Sequence, residues 1–326
     1  MSGRRILITG GAGFIGFHLA RELSEDAHDE IVLLDNLVRG RRDDDLEELL
    51  RRPNVRLETG DITDMSLWSR LSGPFDEIYH LAAIIGVEHV LRRPHDVVRV
   101  NALGTLALLD WFAKQSRGKL LFASTSEAYA WTGHIIDLPV PTPEDVPLSL
   151  TDLKDPRSSY AGSKIFGELA VTQYCLKFEK PFTIVRYHNV YGPRMGHEHV
   201  IPQLYKRAID GESPLVVYSG HHRRAFCYVS DAVRNTVLAM RESAGDGMTF
   251  HVGNEEEIRI VDLAKLILKR AGKSPSVELR KAANDPIKRR CPDTSRARTQ
   301  LGYKPVVSLD DGLDRTLEWY GRLFGV

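Results

Sequence analysis

The stretch Arg4-Arg5-Ile6-Leu7-Ile8-Thr9-Gly10-Gly11-Ala12-Gly13-Phe14-Ile15-Gly16 decides how the chain folds. Ile6-Leu7-Ile8 has the length and branching of a buried strand. The glycines after it read as a tight turn, and Phe17-His18-Leu19-Ala20-Arg21-Glu22-Leu23 as a helix. Gly11, Gly13 and Gly16 give G-x-G-x-x-G, while Gly10, Gly13 and Gly16 give G-x-x-G-x-x-G. Glycine here permits the turn, lets backbone N–H groups approach a pyrophosphate, and lets helix close on strand. The helix N-terminus adds a field that favours phosphate.

A strand–helix turn of any purpose can carry such glycines, so the flanks matter. A second apolar run, Ile31-Val32-Leu33-Leu34, ends at Asp35, about 20 residues on, where a dinucleotide site wants a carboxylate for the adenosine ribose. Strand, turn, helix, strand and acid in that order point to a bound dinucleotide. Asp35 would repel a 2′-phosphate and so favours NAD. Arg39, Arg41 and Arg42 pull the other way but read as solvated loop residues. After a third strand, Val55–Glu58, the run Gly60-Asp61-Ile62 suits an adenine. Asp61 would meet the exocyclic amine and Ile62 the ring face, although Thr63 or Asp64 also reads as a helix N-cap.

Asp76–Ala83 gives a fourth strand whose end, Leu81 followed by the small residues Ala82 and Ala83, lets backbone approach the middle of the cofactor. Val98–Leu109 is apolar on more than one face and reads as a long buried helix with a part in dimer packing. Lys119–Ala123 is a fifth strand that delivers Ser124-Thr125-Ser126-Glu127 to its carboxyl end, where ligands sit in open α/β sheets. A proline-rich loop follows, then a helix opening on Ser158-Ser159-Tyr160-Ala161-Gly162-Ser163-Lys164. Tyr160 and Lys164 share one helical face. Phe182–Arg186 is a sixth strand, and from about Gly196 the alternation loosens into a smaller lobe that would cover the substrate.

The chain has 326 residues, 42% hydrophobic and 27% charged, with a formal net charge of zero. That length can bury a substantial core. The charge balance gives no footprint for nucleic acid or a polybasic membrane anchor. Cys175, Cys227 and Cys291 lie far apart without a C-x-x-C, so neither a disulfide framework nor a metal site is expected. No apolar run reaches membrane-spanning length, and a cytoplasmic setting is expected.

Taken together, these residues resemble the extended short-chain dehydrogenase/reductases that modify nucleotide sugars. The ordered set carries the resemblance: Thr9–Gly16, Asp35-Asn36, Gly60–Ile62, His80–Ala83, Asn101 with Gly104-Thr105, Ser124–Glu127, Tyr160–Lys164, Asn189–Arg194 and Arg224–Asp231. The resemblance implies an α/β fold with a Rossmann-type doubly wound parallel sheet in residues 1–195, holding NAD and the catalytic groups. Residues 196–326 would form a smaller α/β lobe, mainly for the nucleoside diphosphate sugar, with some chain crossing between lobes. A homodimer built on a four-helix interface is also implied. NAD would meet Gly10, Gly13, Phe14, Ile15, Gly16, Asp35, Asn36, Asp61, Ile62, Leu81, Ala82, Ala83, Asn101, Tyr160 and Lys164.

Chemistry follows from residue type. Tyr160 would take the proton of a sugar hydroxyl during oxidation at C4, although a free tyrosine has a pKa of about 10. Lys164 and the nicotinamide charge would lower it. Thr125 would orient the same hydroxyl, with Ser126 beside it. Glu127 resembles the acid of UDP-glucuronate decarboxylases and 4,6-dehydratases, where a carboxylate works next to a 4-keto carbon. Asp285-Pro286 through Asp293, and Gly192–Met195, look most like the decarboxylase branch. Arg224, with Arg289 or Arg290, would clamp the pyrophosphate; Asn189 and Arg194 would line the substrate. The loop Ala83–His89, with Ile85 and Gly86, should face the sugar, and its isoleucines suit a carboxylate poorly. Glu88, His89, His134 and His188 read as ordinary surface or core residues. The reading is NAD-dependent C4 oxidation leaning to UDP-glucuronate-type decarboxylation. Alternatives are 4-epimerisation, 4,6-dehydration, and a regulatory NAD-binding protein without turnover.

Overall fold

A computed structural model describes residues 3–281 and 288–325. Strands and helices alternate through β1 (Arg5–Thr9), α1 (Phe14–Leu23), β2 (Glu30–Asp35), α2 (Asp44–Leu50), β3 (Val55–Thr59), α3 (Met65–Arg70) and β4 (Glu77–His80). They continue through α4 (Val87–Arg92), α5 (Pro94–Phe112), β5 (Lys119–Thr125), α6 (Arg157–Lys177) and β6 (Phe182–Tyr187). Next come β7 (Val190–Tyr191), α7 (Val200–Ile209), β8 (Leu215–Tyr218), β9 (Arg223–Ala225), β10 (Cys227–Tyr228), α8 (Val229–Arg241) and β11 (Thr249–Val252). The chain ends with β12 (Glu257–Arg259), α9 (Ile260–Arg270), β13 (Val277–Arg280), β14 (Arg289–Arg290), α10 (Ser295–Leu301) and α11 (Leu309–Phe324). Asp285 and Pro286, part of the decarboxylase-like run, lie outside the described residues.

The apolar runs form a seven-stranded parallel sheet in the order β11-β6-β5-β4-β1-β2-β3. Side chains alternate between its faces, so Ile6 and Ile8 enter one core with Phe17 and Leu19 of α1, while Leu7 enters the other with Leu108 and Phe112 of α5. Both faces are covered by helices, which is why the strands are apolar throughout. The seventh strand, β11, comes from beyond Gly196 and pairs with β6, so the C-terminal part of the chain completes the main sheet. Helix α1 begins at Phe14, three residues before the start read from the sequence, which brings the last glycine of the turn, Gly16, inside it.

Strand order reverses beside β1, leaving a crevice at the carboxyl ends of β1 and β4. His80 pins that edge, with Nδ1 2.8 Å from Thr9 Oγ1 and Nε2 3.2 Å from Thr105 Oγ1. Burial, with Lys164 nearby, pushes its pKa down to about 3, so the ring is a neutral structural bridge.

Arg194 corrects an expectation. Its guanidinium, 2% exposed, is ion-paired with Asp43 ahead of α2 and lies 4.0 Å over the Phe17 ring. It also donates to the carbonyls of Ala12 (3.2 Å) and Arg41 (3.3 Å). Arg194 therefore braces the glycine turn and the loop after β2 from behind and presents no charge to a substrate. Asp43 is 30% exposed and can be rehydrated, so Arg194→Leu should cost about 2–3 kcal/mol, below the full penalty for breaking a buried pair. Urea unfolding should show that loss, and calorimetry should show weaker NAD binding with nucleotide-sugar affinity unchanged. Weakened nucleotide-sugar binding alone would restore the substrate role.

Candidate active site

The glycine turn makes a backbone cradle. Gly10 has φ +71°, and a Cβ there would fall 2.9 Å from the backbone nitrogen of Ala82. A Cβ on Gly16 would overlap the Gly10 carbonyl oxygen. The turn thus packs directly on Leu81-Ala82-Ala83, as side chains would prevent. Gly13 is the N-cap of α1 and supplies no side-chain cap; a Cβ there would meet only Gly10 O, at 3.2 Å. The first N–H groups of α1, with Phe14 and Ile15, therefore adjoin an open face suited to an anion.

Asp35 closes the far end. Its carboxylate accepts from the backbone N–H of Leu37 (2.8 Å) and of Ala12 (3.1 Å), and burial raises its pKa. Asn36 donates to Asp61 at 3.2 Å, joining the ends of β2 and β3. An N–H cradle with a carboxylate at the second strand end fits a dinucleotide.

Two residues expected on the cofactor face elsewhere. Ile62 is 6% exposed and fills the space over Gly104, where a Cβ would collide with it. Its side chain belongs to the core under α5. Asn101 is buried, accepts from Ile84 N–H at 2.7 Å, and donates to Ile84 O (3.2 Å) and Ser163 Oγ (3.0 Å). A buried amide satisfies itself where it can; Asn101 thereby fastens the Ile84–Gly86 loop to α6.

Tyr160, Thr125 and Glu127 converge at the carboxyl end of β5. Thr125 hydrogen-bonds the Tyr160 phenol. Burial pushes the Tyr160 pKa up to about 12, Glu127 pushes the same way, and Thr125 and Arg39 hold it down. Lys164 reaches under the strand, donates to Ala123 O at 2.7 Å and lies 5.0 Å over the Phe122 ring. Burial lowers its pKa to about 8. Among the described residues Arg39 is thus a cation that acts on Tyr160, although the sequence reading left it in solvent. A Cβ on Gly86, whose φ is +101°, would lie 3.1 Å from both Arg39 Nη1 and Glu198 Oε2. Arg39 therefore lies beside the Gly86 loop, within reach of the charges of Glu198 and Tyr160. Ser126 is buried, and Ile85 is 37% exposed.

The arginines separate by alternation along β14. Arg289 faces outward to Glu257, at 3.1 and 2.5 Å. Arg290 faces inward, 2.5 Å from Glu127 Oε1, with its side chain 17% exposed. Arg289 is therefore engaged away from the crevice, and Arg290 stands at the carboxylate where a phosphate clamp was expected. Arg224 is the register partner of Arg290 on the neighbouring strand β9 and shares its face. Asn189 donates to Ala225 O at 3.0 Å and ties β9 to the end of β6. Glu88, His89 and His134 lie at or near the surface, whereas His188 is completely buried. No group of metal-binding side chains occurs among the described residues, and no described helix is long and apolar enough to cross a membrane.

Residues 6–253 match the model of the NAD dependent epimerase/dehydratase family. The chain is 33% identical to UDP-glucuronic acid decarboxylase 1 of Xenopus tropicalis, over 98% of this chain and 72% of that protein. It is 34% identical to UDP-N-acetyl-alpha-D-glucosaminuronate decarboxylase of Bacillus cytotoxicus, over 98% of each chain. Among solved structures, dTDP-glucose 4,6-dehydratase of Streptomyces venezuelae, crystallised with NAD, superposes with a TM-score of 0.87 at 31% identity, covering 98% of each chain. The glycine cradle, the acid at Asp35 and the Tyr160–Lys164 helix are thus parts of an enzyme that uses NAD. The chain belongs to the NAD dependent epimerase/dehydratase family, among nucleotide-sugar decarboxylases, dehydratases and epimerases.

Proposed function

We propose that this enzyme decarboxylates a UDP-linked uronic acid, UDP-glucuronate being the first candidate, through a transient 4-ketone. The Glu127–Arg290 pair beside Thr125 and Tyr160 carries this reading. Epimerisation needs only reversible oxidation at C4. A carboxylate and a guanidinium held together next to that position supply more, namely charge and proton handling at the neighbouring carbons. The two decarboxylase relatives, matched over nearly the whole chain, support the same choice.

What NAD supplies when bound is reversible acceptance of the C4 hydride. Tyr160 takes the proton of the C4 hydroxyl, which Thr125 orients. Lys164 holds the nicotinamide ribose and adds positive charge beneath it. Once C4 is a ketone, the C5–C6 bond can break: its electron pair passes to the ketone oxygen as an enolate, and C6 leaves as CO₂. The Arg290 guanidinium balances the charge of the C6 carboxylate until it departs. Glu127, whose side chain is 37% exposed, passes a proton from solvent to C5. Tyr160 then returns its proton to the C4 oxygen as the alcohol re-forms. Arg224, beside Arg290, binds the diphosphate.

Helices α5 and α6 are proposed as a homodimer interface. Phe166, Leu169 and Leu176 form one stripe on α6, exposed by 36%, 58% and 64%, and α5 exposes Val98 and Leu103 beside it. So continuous an apolar strip on a soluble enzyme calls for cover.

With UDP-glucuronate and NAD, Glu127→Gln should still form reduced cofactor but deliver the nucleotide pentose about 100-fold more slowly; equal loss of both steps would remove Glu127 from the step beside the ketone. Arg39→Gln removes a cation that stabilises the Tyr160 phenolate. The Tyr160 pKa rises, so the ascending limb of the oxidation rate against pH should move up by about one unit; an unmoved limb would show that Arg39 does not act on Tyr160. The double change Leu169→Glu, Leu176→Glu should halve the sedimenting mass, and an unchanged mass would exclude this interface.

A further inference from the structure

Behind Glu127 and Arg290 lie three titratable side chains with no part in the mechanism above. His188 and His251 have no exposed surface, and Tyr129 is 3% exposed. Tyr129 Oη lies 2.5 Å from His188 Nε2 and 3.5 Å from His251 Nε2. The two imidazoles are 4.6 Å apart at 67°. His251 Nδ1 is 3.0 Å from the Asp293 carbonyl oxygen, and its backbone N–H donates to Glu144 Oε1 at 2.9 Å. His188 Nδ1 is buried without a hydrogen-bond partner among the described residues.

These contacts fix the protons. A carbonyl only accepts, so His251 carries its proton on Nδ1 and offers a lone pair at Nε2. Had Tyr129 donated to His188, the proton of that ring would be stranded on the buried Nδ1, and orphaned buried donors are the rarer and costlier defect. The chain therefore runs from His188 Nε2–H to the Tyr129 oxygen, from the Tyr129 hydroxyl to His251 Nε2, and from His251 Nδ1–H to Asp293 O. Both rings stay neutral. Burial lowers the pKa of each, to about 3 for His251, and Arg186 faces both rings. Arg290 adds to this at His188, and Arg296 at His251, where Asp293 opposes. Glu144 also faces His251, at 3.9 Å.

The two ends of this chain lie on the two segments that carry the ion pair. Tyr129 closes the single turn Ser126–Tyr129, which contains Glu127. Asp293 follows Arg290 along the same segment, which Thr142 clamps through bonds to Cys291 O (2.9 Å) and Asp293 N–H (2.8 Å). We propose that His188 and His251 are positioning residues which, through Tyr129 and the Asp293 carbonyl, set the separation of Glu127 from Arg290.

This rests on the proposed reaction only in its functional readout. The test uses UDP-glucuronate as probe with saturating NAD, following bound reduced cofactor and product together. Tyr129→Phe and His188→Leu should form reduced cofactor at the wild-type rate but product at least tenfold more slowly, so reduced cofactor accumulates while KM stays within about twofold. His188→Gln, which keeps a donor for the Tyr129 oxygen, should return product formation to within about threefold of wild type. Equal depression of both steps, or His188→Gln as impaired as His188→Leu, would reduce the cluster to packing and overturn the proposal. Wild-type product formation by Tyr129→Phe would overturn it as well. Should the wild-type enzyme leave UDP-glucuronate untouched, the proposed reaction fails and nitrogen NMR of the ligand-free protein tests the cluster alone. His188 should then be the Nε2–H tautomer and His251 the Nδ1–H tautomer, both neutral from about pH 5.5 to about pH 8. The same spectra decide if the variants do not fold. Reversed tautomers, or titration within that window, would overturn the proposal.

Discussion

The ion pair of Glu127 with Arg290 joins parts of the chain 163 residues apart and exists only if the whole architecture is in register. Glu127 depends on β5 reaching the crevice at the centre of the sheet. Arg290 depends on β14 pairing with β9 so that alternation turns it inward and Arg289 outward. A slip of one residue in β14 would exchange the two arginines and present Arg289 to the crevice. The lobe that bears β14 is held to the sheet by β11, which lies beside β6, and by His251 within β11.

Burial governs the charges around the crevice. Deep in the sheet the groups are neutral or matched: His80 bridges two hydroxyls, and Arg186 forms a bidentate pair with Glu168 at 2.9 and 2.8 Å. Glu168 also accepts from Ser124 at 2.5 Å, two residues before Ser126. Beside them the same burial pushes the Tyr160 pKa up and the Lys164 pKa down, which leaves Tyr160 protonated and Lys164 still mainly a cation near neutral pH. A cationic nicotinamide ring beside Tyr160 would lower that pKa and favour the phenolate.

The fold was legible because its signals are local. Apolar runs buried on both faces, glycines at a turn where a Cβ has no room, and an acid at the next strand end can each be read within a few residues. The site was legible to the same extent: Tyr160, Thr125 and Glu127 sit on one strand end and the helix that follows it. What escaped depended on distant pairing. Nothing near Arg290 says that it faces Glu127 while Arg289 faces Glu257; the register of three short strands decides that. Arg194 carries its charge inward because Phe17 and Asp43 receive it there, and Asn101 serves the Ile84 loop because its amide meets both the N–H and the carbonyl of Ile84. His188 read singly as an ordinary surface or core residue and His251 drew no reading, and only the fold brings their rings together around Tyr129.

The central claim is that an acid–guanidinium pair handles bond breaking and protonation at C5 beside a transient ketone. Turnover of UDP-glucuronate with NAD in heavy water tests it most directly, with the product weighed and its deuterium located. The account predicts a nucleotide pentose that has lost CO₂ and carries a single deuterium, at C5. A product of unchanged mass without deuterium, inverted only at C4, would contradict it.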